Sequence, residues 1–299
     1  MKLLARGATC EFPGQPLVMG IVNLVADSFS GDGLTEIDAA LDRARQQLAE
    51  GARIIDIGAE SARTNRSAIP EAEEIAQLLR FVERWPELRD ASQKGTPRPL
   101  LSINTWRPGV VRGVMPRGGD ILNDIGGLPT DENARICADI GAALLIMHSI
   151  GQPKVPHTHV GYDDIMVRLD EFFVEKIAIA ERAGVSCDAL ILDPGIDFAK
   201  QRADNLRIYR ELDRLRRFDR PILLPVSRKT VIGETLGITN PVERDAGTVA
   251  CIVQGMLRGA SIFRVHNVRA AVQTVRTIHA LEAGSGAVAN PEGCGESWC

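Results

Sequence analysis

The chain has 299 residues, of which 44% are hydrophobic, 25% charged and 4% aromatic, and a net charge of -4. That length can bury a full core, and the mild acidity offers no electrostatic attraction to nucleic acid or an anionic membrane surface. Nothing approaches the roughly 18–20 uninterrupted apolar residues of a membrane helix, and the cysteines at 10, 137, 187, 251, 294 and 299 lack ligand spacing, which argues against a disulfide frame or a structural zinc.

In chain order, the opening MKLLARGATCEFPGQ shows neither the apolar core nor the cleavage site of a signal peptide, so a reducing, cytoplasmic setting is expected. Apolar runs of strand length then recur between longer stretches with helical spacing: LVMGIVN, RIIDIG, LLSINT, DILNDI, ALLIMH, LILDPG, ILLPVSRK and SIFRVH. Four of them are entered through a glycine (Gly51, Gly118, Gly141, Gly259), the residue that commonly follows a helix C-terminus. Strands apolar on both faces and alternating with helices predict a parallel sheet, and eight such units in one domain predict an α/β, (β/α)8 TIM barrel. An open doubly wound sheet is the rival, but no G-x-G-x-x-G follows the first strand. The arginine-rich NLRIYRELDRLRRFDR alternates in sign at helical spacing and reads as a solvated helix face.

Each predicted strand ends in a polar residue: Asn23, Asp56, Asn104, Asn123 with Asp124, His148, Asp193, Ser227 with Lys229, and Arg264 with His266. A barrel gathers all these ends on one face, making a polar cup over an apolar core. The mixture suits a ligand with a hydrogen-bonding ring and an anionic tail, with Arg264 and His266 as candidates for the anion. Among the loops, NLVADSFSGDG reads as a mobile lid and GAESARTNRSA carries Arg63. SIGQPKVPHTHV holds His157 and His159, which read as exposed histidines rather than metal ligands, and ELRDASQKGTPRP reads as a surface connection. Residues 1–283 are expected to form one domain with a short N-terminal extension, and residues 284–299, of linker composition, a disordered tail.

The ordered series MGIVN..ADSFS, GARIIDIGAES.R, LSINT, ILNDI.G, ILDPGIDFAK, VSRKTVIG and FRVHNV resembles the dihydropteroate synthase family over roughly Leu17 to Leu281. The resemblance implies a homodimeric TIM-barrel transferase that joins 6-hydroxymethyl-7,8-dihydropterin diphosphate to 4-aminobenzoate and releases diphosphate. It implies that Asn23 helps hold Mg²⁺ and the diphosphate, that Arg63, Arg264 and His266 clamp the anion, and that Asn123, Asp193 and Lys229 grip the pterin. Ser227 and Arg228 correspond to the aminobenzoate carboxylate site, and Phe198 to a ring packed on the aminobenzoate.

The sequence also departs from the family pattern. Asn104 stands where an aspartate is usual and offers no negative charge opposite a pterin cation. Ala62 and Thr64 interrupt the usual S-T-R-P, and Asp197 and Ala199 replace two usual glycines, which predicts an anion close to the aminobenzoate. Two alternatives stay open: a paralogue that binds pterin without this turnover or with another amine acceptor, and a pterin-dependent methyltransferase. The intact VSRK and RVH disfavour the second.

Overall fold

Eight strands, each apolar where it meets its neighbours, run parallel in the computed structural model: β3 (Leu17–Asn23), β4 (Ile54–Gly58), β5 (Leu100–Asn104), β6 (Ile121–Asp124), β7 (Ala143–Met147), β8 (Leu190–Asp193), β9 (Leu223–Pro225) and β10 (Ile262–Val265). An antiparallel hairpin, β1 (Lys2–Ala5) and β2 (Ala8–Glu11), precedes them. The structure describes residues 1–12, 14–24, 33–60, 68–90, 97–151, 153–155 and 160–283. The expected lid beyond Leu24, the stretch 61–67 with Ala62, Arg63 and Thr64, His157, His159 and the tail 284–299 lie outside the described residues.

The strand order is β8-β7-β6-β5-β4-β3-β10-β9, and a parallel bridge between Leu192 and Ile222 brings β8 back to the start of β9. The barrel thus closes as predicted, with the strands at the expected positions. Around it lie α1 (Gly33–Ala49), α2 (Glu71–Val82), α3 (Trp85–Arg89), α4 (Pro108–Gly118), α5 (Glu132–Ile140), α6 (Ile165–Arg182), α7 (Arg202–Glu211), α8 (Thr230–Leu236), α9 (Asp245–Leu257) and α10 (Val268–Ala283).

Strand alternation sorts the core into two layers. Outward residues such as Ile55, Leu101, Leu144, Phe263 and Val265 pack under the helices. Inward residues Met19, Ile54, Leu100, Ile121, Leu223 and Ile262 fill the lower barrel. The hairpin completes that floor: Leu3, Ala5 and Phe12 are buried in the inner cluster. Its two-residue turn, Arg6 and Gly7, has positive φ at both positions (46° and 81°), the geometry of a tight hairpin turn. What the sequence presents as a short extension is therefore a plug for the barrel's N-terminal end.

Gly51, Gly141 and Gly259 take positive φ before their strands, as expected of helix C-terminal glycines. Gly118 instead stays inside α4, and Gly119 caps it at φ -68°, so conformational freedom is not what glycine supplies there. At Gly119 the reason is space, because a Cβ would meet Met115 Sδ at 2.5 Å. The arginine-rich segment forms α7 and a following 3-10 turn, with Arg207, Arg214 and Arg217 paired to Asp164, Glu211 and Asp170 at the surface.

Candidate active site

Above the apolar floor the inward positions turn polar. Asp56, fully buried on β4, lies at the centre of a hydrogen-bond hub. It accepts from Ser102 Oγ at 2.6 Å, from Asn123 Nδ2 at 3.2 and 3.4 Å, and at 3.5 Å from Asn104 Nδ2. The Arg264 guanidinium reaches it through Nε and Nη2, both 2.7 Å from the same carboxylate oxygen. Arg264 points to the inner side of β10 and His266 follows the strand's last residue, while Phe263 and Val265 face the helices. Asn123 Oδ1 is buried and, among the described residues, has no hydrogen-bond partner. An open acceptor in such a place is costly unless a ligand donor meets it.

The loop after β8 supplies the second group. Asp193 is buried and accepts from Gly195 N at 2.7 Å. Burial pushes its carboxyl up to about 6, against the opposing pull of the Gly195 N–H, Lys229 and Lys200. Lys229 donates to Ile196 O at 2.9 Å and lies over the Phe198 ring, 5.2 Å from its centroid. Beneath them the Lys200 ammonium contacts His148 Nδ1 at 2.8 Å and Phe198 O at 3.0 Å. Burial brings that ammonium down to about 7, with Asp193 opposing, and burial followed by the Lys200 charge brings His148 down to about 2. Neutral His148 is therefore the acceptor in this pair.

Asp197 and Ala199 both stand at positive φ, 68° and 49°. Left-handed backbone at these two positions gives glycine a physical advantage there. The Asp197 carboxylate, which the sequence places as an anion close to the aminobenzoate, is engaged by the backbone of the next helix. It accepts from Thr230 N at 2.5 Å and Val231 N at 3.3 Å, capping α8, and from Asn205 Nδ2 at 3.3 Å.

The rim over β9 and β10 forms the third group. Ser227 Oγ lies 2.8 Å from His266 Nδ1 and accepts the His266 backbone N–H at 3.1 Å. Arg228 turns away: its guanidinium forks onto Asp245 through Nε (2.8 Å) and Nη2 (3.1 Å). Asn23, exposed at the end of β3, joins His266, Arg228 and Asn267 in lining a cleft of about 720 Å³. That cleft continues past Arg43 and Arg269 down the flank between α1 and α10, touching the rim of the cup and not its floor.

The structure thus brings Asn104, Asn123 and Arg264 onto Asp56, gathers Asp193, Phe198 and Lys229 around the β8 loop, and sets Asn23, Ser227 and His266 on the rim. Arg63 lies outside the described residues. Sequence reasoning places Asp56 and His148 among the polar strand ends without assigning either a partner, and does not single out Lys200. The signal for Asp56 was a lone carboxylate inside the apolar run IIDIG, and for Lys200 a lysine only seven residues beyond Asp193. It also missed a buried rim network, in which Glu60 pairs with Arg107 and, at 2.8 Å, with Lys154, and Arg107 lies 3.3 Å from Glu74. Among the described residues no cluster of three or more His, Cys, Asp or Glu could hold a metal ion.

A family model described as pterin binding enzyme matches residues 19–266. The dihydropteroate synthase of Escherichia coli K12 is 34% identical over 281 residues, covering 94% of this chain and 96% of that protein. The dihydropteroate synthase of Xanthomonas albilineans, solved with 4-aminobenzoic acid, superposes with a TM-score of 0.83 at 34% identity, over 95% of this chain and all of the other. The same enzyme solved with 7,8-dihydropteroate gives a TM-score of 0.80 at 32% identity, over 95% and 99% of the two chains. With its ordered motifs, closed barrel and polar cup, the chain belongs to the dihydropteroate synthase family of pterin-binding enzymes.

Proposed function

We propose that the chain condenses 6-hydroxymethyl-7,8-dihydropterin diphosphate with 4-aminobenzoate and releases diphosphate. The observation that carries this reading is the buried, open acceptor Asn123 Oδ1 in the same cup as Asp193 and Lys229. A pterin's amino-pyrimidinone edge presents N–H donors beside ring acceptors. Asn123 and Asp193 accept from the former, and the Lys229 ammonium donates to the latter.

In the reaction the C–O bond to the diphosphate breaks and its electron pair leaves with the phosphate oxygen. The pterin carbon becomes a resonance-stabilised cation, the arylamine lone pair forms the new C–N bond, and the amine proton is released. Asp56, beside Asn104 and Asn123, supplies negative charge on the ring side. Arg264 and His266, with Arg63, meet the charge growing on the leaving group. Asn104 contributes hydrogen bonding within this cup. Phe198 packs against the aminobenzoate ring and Ser227 donates to its carboxylate. Because Asp245 already takes the Arg228 fork, Arg228 acts there through its backbone and its field.

Asn23 offers a single amide oxygen, which fits a Mg²⁺ that draws its other ligands from substrate phosphates and water rather than from a protein cage. When bound, the ion neutralises charge on the diphosphate. A homodimer in the cytoplasm is part of the same reading. The test is a turnover assay with pterin diphosphate and 4-aminobenzoate, run beside calorimetry with pterin diphosphate alone. Binding without product, or product only with another amine, overturns the proposal.

A further inference from the structure

Asp56 touches more of the candidate site than any other side chain described above, yet it is fully buried and sits one layer below the rim. Its donors come from three other strands: Ser102 and Asn104 on β5, Asn123 on β6 and Arg264 on β10. The last of these is not a neighbour of β4, because β3 lies between them. In register, Asp56 stands beside Ile21 and Arg264 beside Met19, so the guanidinium crosses over β3 to reach the carboxylate.

These contacts also decide which way the amides point. A carboxylate only accepts, so both asparagines must turn their NH₂ groups towards it. Each carbonyl oxygen is thereby directed elsewhere, and Asn123 Oδ1 becomes the buried acceptor left open for a ligand. The same carboxylate fixes the plane of the Arg264 guanidinium by taking Nε and Nη2 together, leaving its other N–H groups for further acceptors.

We propose that Asp56 is a positioning residue for the pterin site: it orients the Asn123 and Asn104 amides as acceptors and holds Arg264 in plane for the anionic tail. The inference rests on the pterin-binding reading above. It predicts that the presence of one negative charge within this hub, rather than the packing of one side chain, sets ligand affinity.

The test measures calorimetric binding of 6-hydroxymethylpterin and its diphosphate, with steady-state KM and kcat, on the full chain. Asp56→Asn keeps the shape and removes the charge. It should weaken both ligands at least tenfold and raise the pterin diphosphate KM, beside a fall in kcat from the lost charge on the ring side. The double variant Asp56→Asn/Asn104→Asp returns a carboxylate to the hub from β5, where position 104 lies 3.5 Å from Asp56, and should recover at least part of the affinity. In an Arg264→Met background, Asp56→Asn should cost less than it does alone, because part of its effect runs through that guanidinium.

Unchanged binding in Asp56→Asn, or a full loss that the double variant does not relieve, would overturn the inference. If Asp56→Asn fails to fold, the double variant decides: binding within tenfold of wild type supports the inference, and weaker binding overturns it. Wild type alone gives a third reading by side-chain NMR. The Asn123 NH₂ and Arg264 Nε–H should stay protected from exchange when pterin is added, and their exposure on binding would contradict the proposal. A wild type that binds no pterin would instead remove the functional reading itself, so the two failures are distinguishable.

Discussion

Replacing Asp197 by glycine sets two opposing terms against each other. At φ 68° the aspartate occupies left-handed backbone, which costs a non-glycine residue roughly 1–2 kcal/mol, less for Asp and Asn than for most. Glycine relieves that strain. It also removes the carboxylate that caps α8 through Thr230 N and Val231 N, at a helix start where Lys229 offers no side-chain cap. Loss of such a cap costs about 1 kcal/mol, with about 0.3–1 kcal/mol more for the charge at the helix N-terminus. The terms nearly cancel, and Asp197→Gly should lower stability by no more than about 1 kcal/mol, a fall of roughly 2–4 °C in Tm. The functional effect is sharper. Asp197 ties the loop carrying Phe198 to the segment that carries Lys229, whose ammonium rests on Ile196 O and the Phe198 ring. Releasing that tie should raise the KM for the pterin substrate several-fold and leave the 4-aminobenzoate KM unchanged or higher. From the sequence alone, removing an anion predicts the opposite sign for aminobenzoate. Asp197→Asn tolerates the backbone and keeps an acceptor, so it should fall between wild type and glycine. Thermal melts with steady-state kinetics on both substrates decide the matter. A tenfold lower aminobenzoate KM with Tm and pterin KM untouched would show that the carboxylate faces the substrate and refute this reasoning.

Asn104→Asp places a second carboxylate about where the amide now lies, 3.5 Å from Asp56, so one of the two should titrate at a raised pKa. The variant should match wild-type stability near pH 4 and fall behind as the pH rises through that pKa, as read by urea melts across pH. Lys200 sits at about 7 in the folded chain against an ordinary 10.5, so the unfolded chain binds more protons between those values. That term makes wild-type stability grow from about pH 7 to 10.5. Lys200→Met should lack it, so the wild-type-minus-variant difference should rise across that window. Chelation of divalent cations should weaken binding of pterin diphosphate and leave unphosphorylated 6-hydroxymethylpterin unaffected in calorimetry.

The barrel was legible because its signals are local. Runs such as LLIM and LILD are apolar on both faces, and the intervening segments keep helical spacing. The polar tips were legible for the same reason, since strand alternation assigns each residue a face before any fold is known. The hub on Asp56 was not. Its donors are separated from it by 46 to 208 positions and meet only because three other strands converge on it. The hairpin plug escaped because two four-residue strands carry little periodicity, although the ARGA turn was there to be read. Asp197 was legible as a departure from the family but not as a cap. The direction of its carboxylate depends on where α8 begins in space, and that position is set by tertiary packing.

Under the proposed function, the vertical arrangement of charge in the cup accounts for the absence of a carboxylate at position 104. A reaction that separates a ring cation from a diphosphate needs negative potential below the ring and positive potential at the rim. Asp56 and Asp193 are both buried on the inner face, whereas Arg264 is partly open to solvent and His266 and Ser227 line the rim. The dry floor strengthens the field of the deep carboxylate, and the hub's donors hold it in place before substrate arrives, so little reorganisation remains when charge develops. Asn104 lies within reach of Asp56, so the negative charge at that level need not be its own. A second carboxylate there would deepen the potential only while ionised, and its neighbour is the group that most opposes its ionisation. One well-held carboxylate among neutral amides can therefore serve the ring side, which makes Asn104 compatible with turnover.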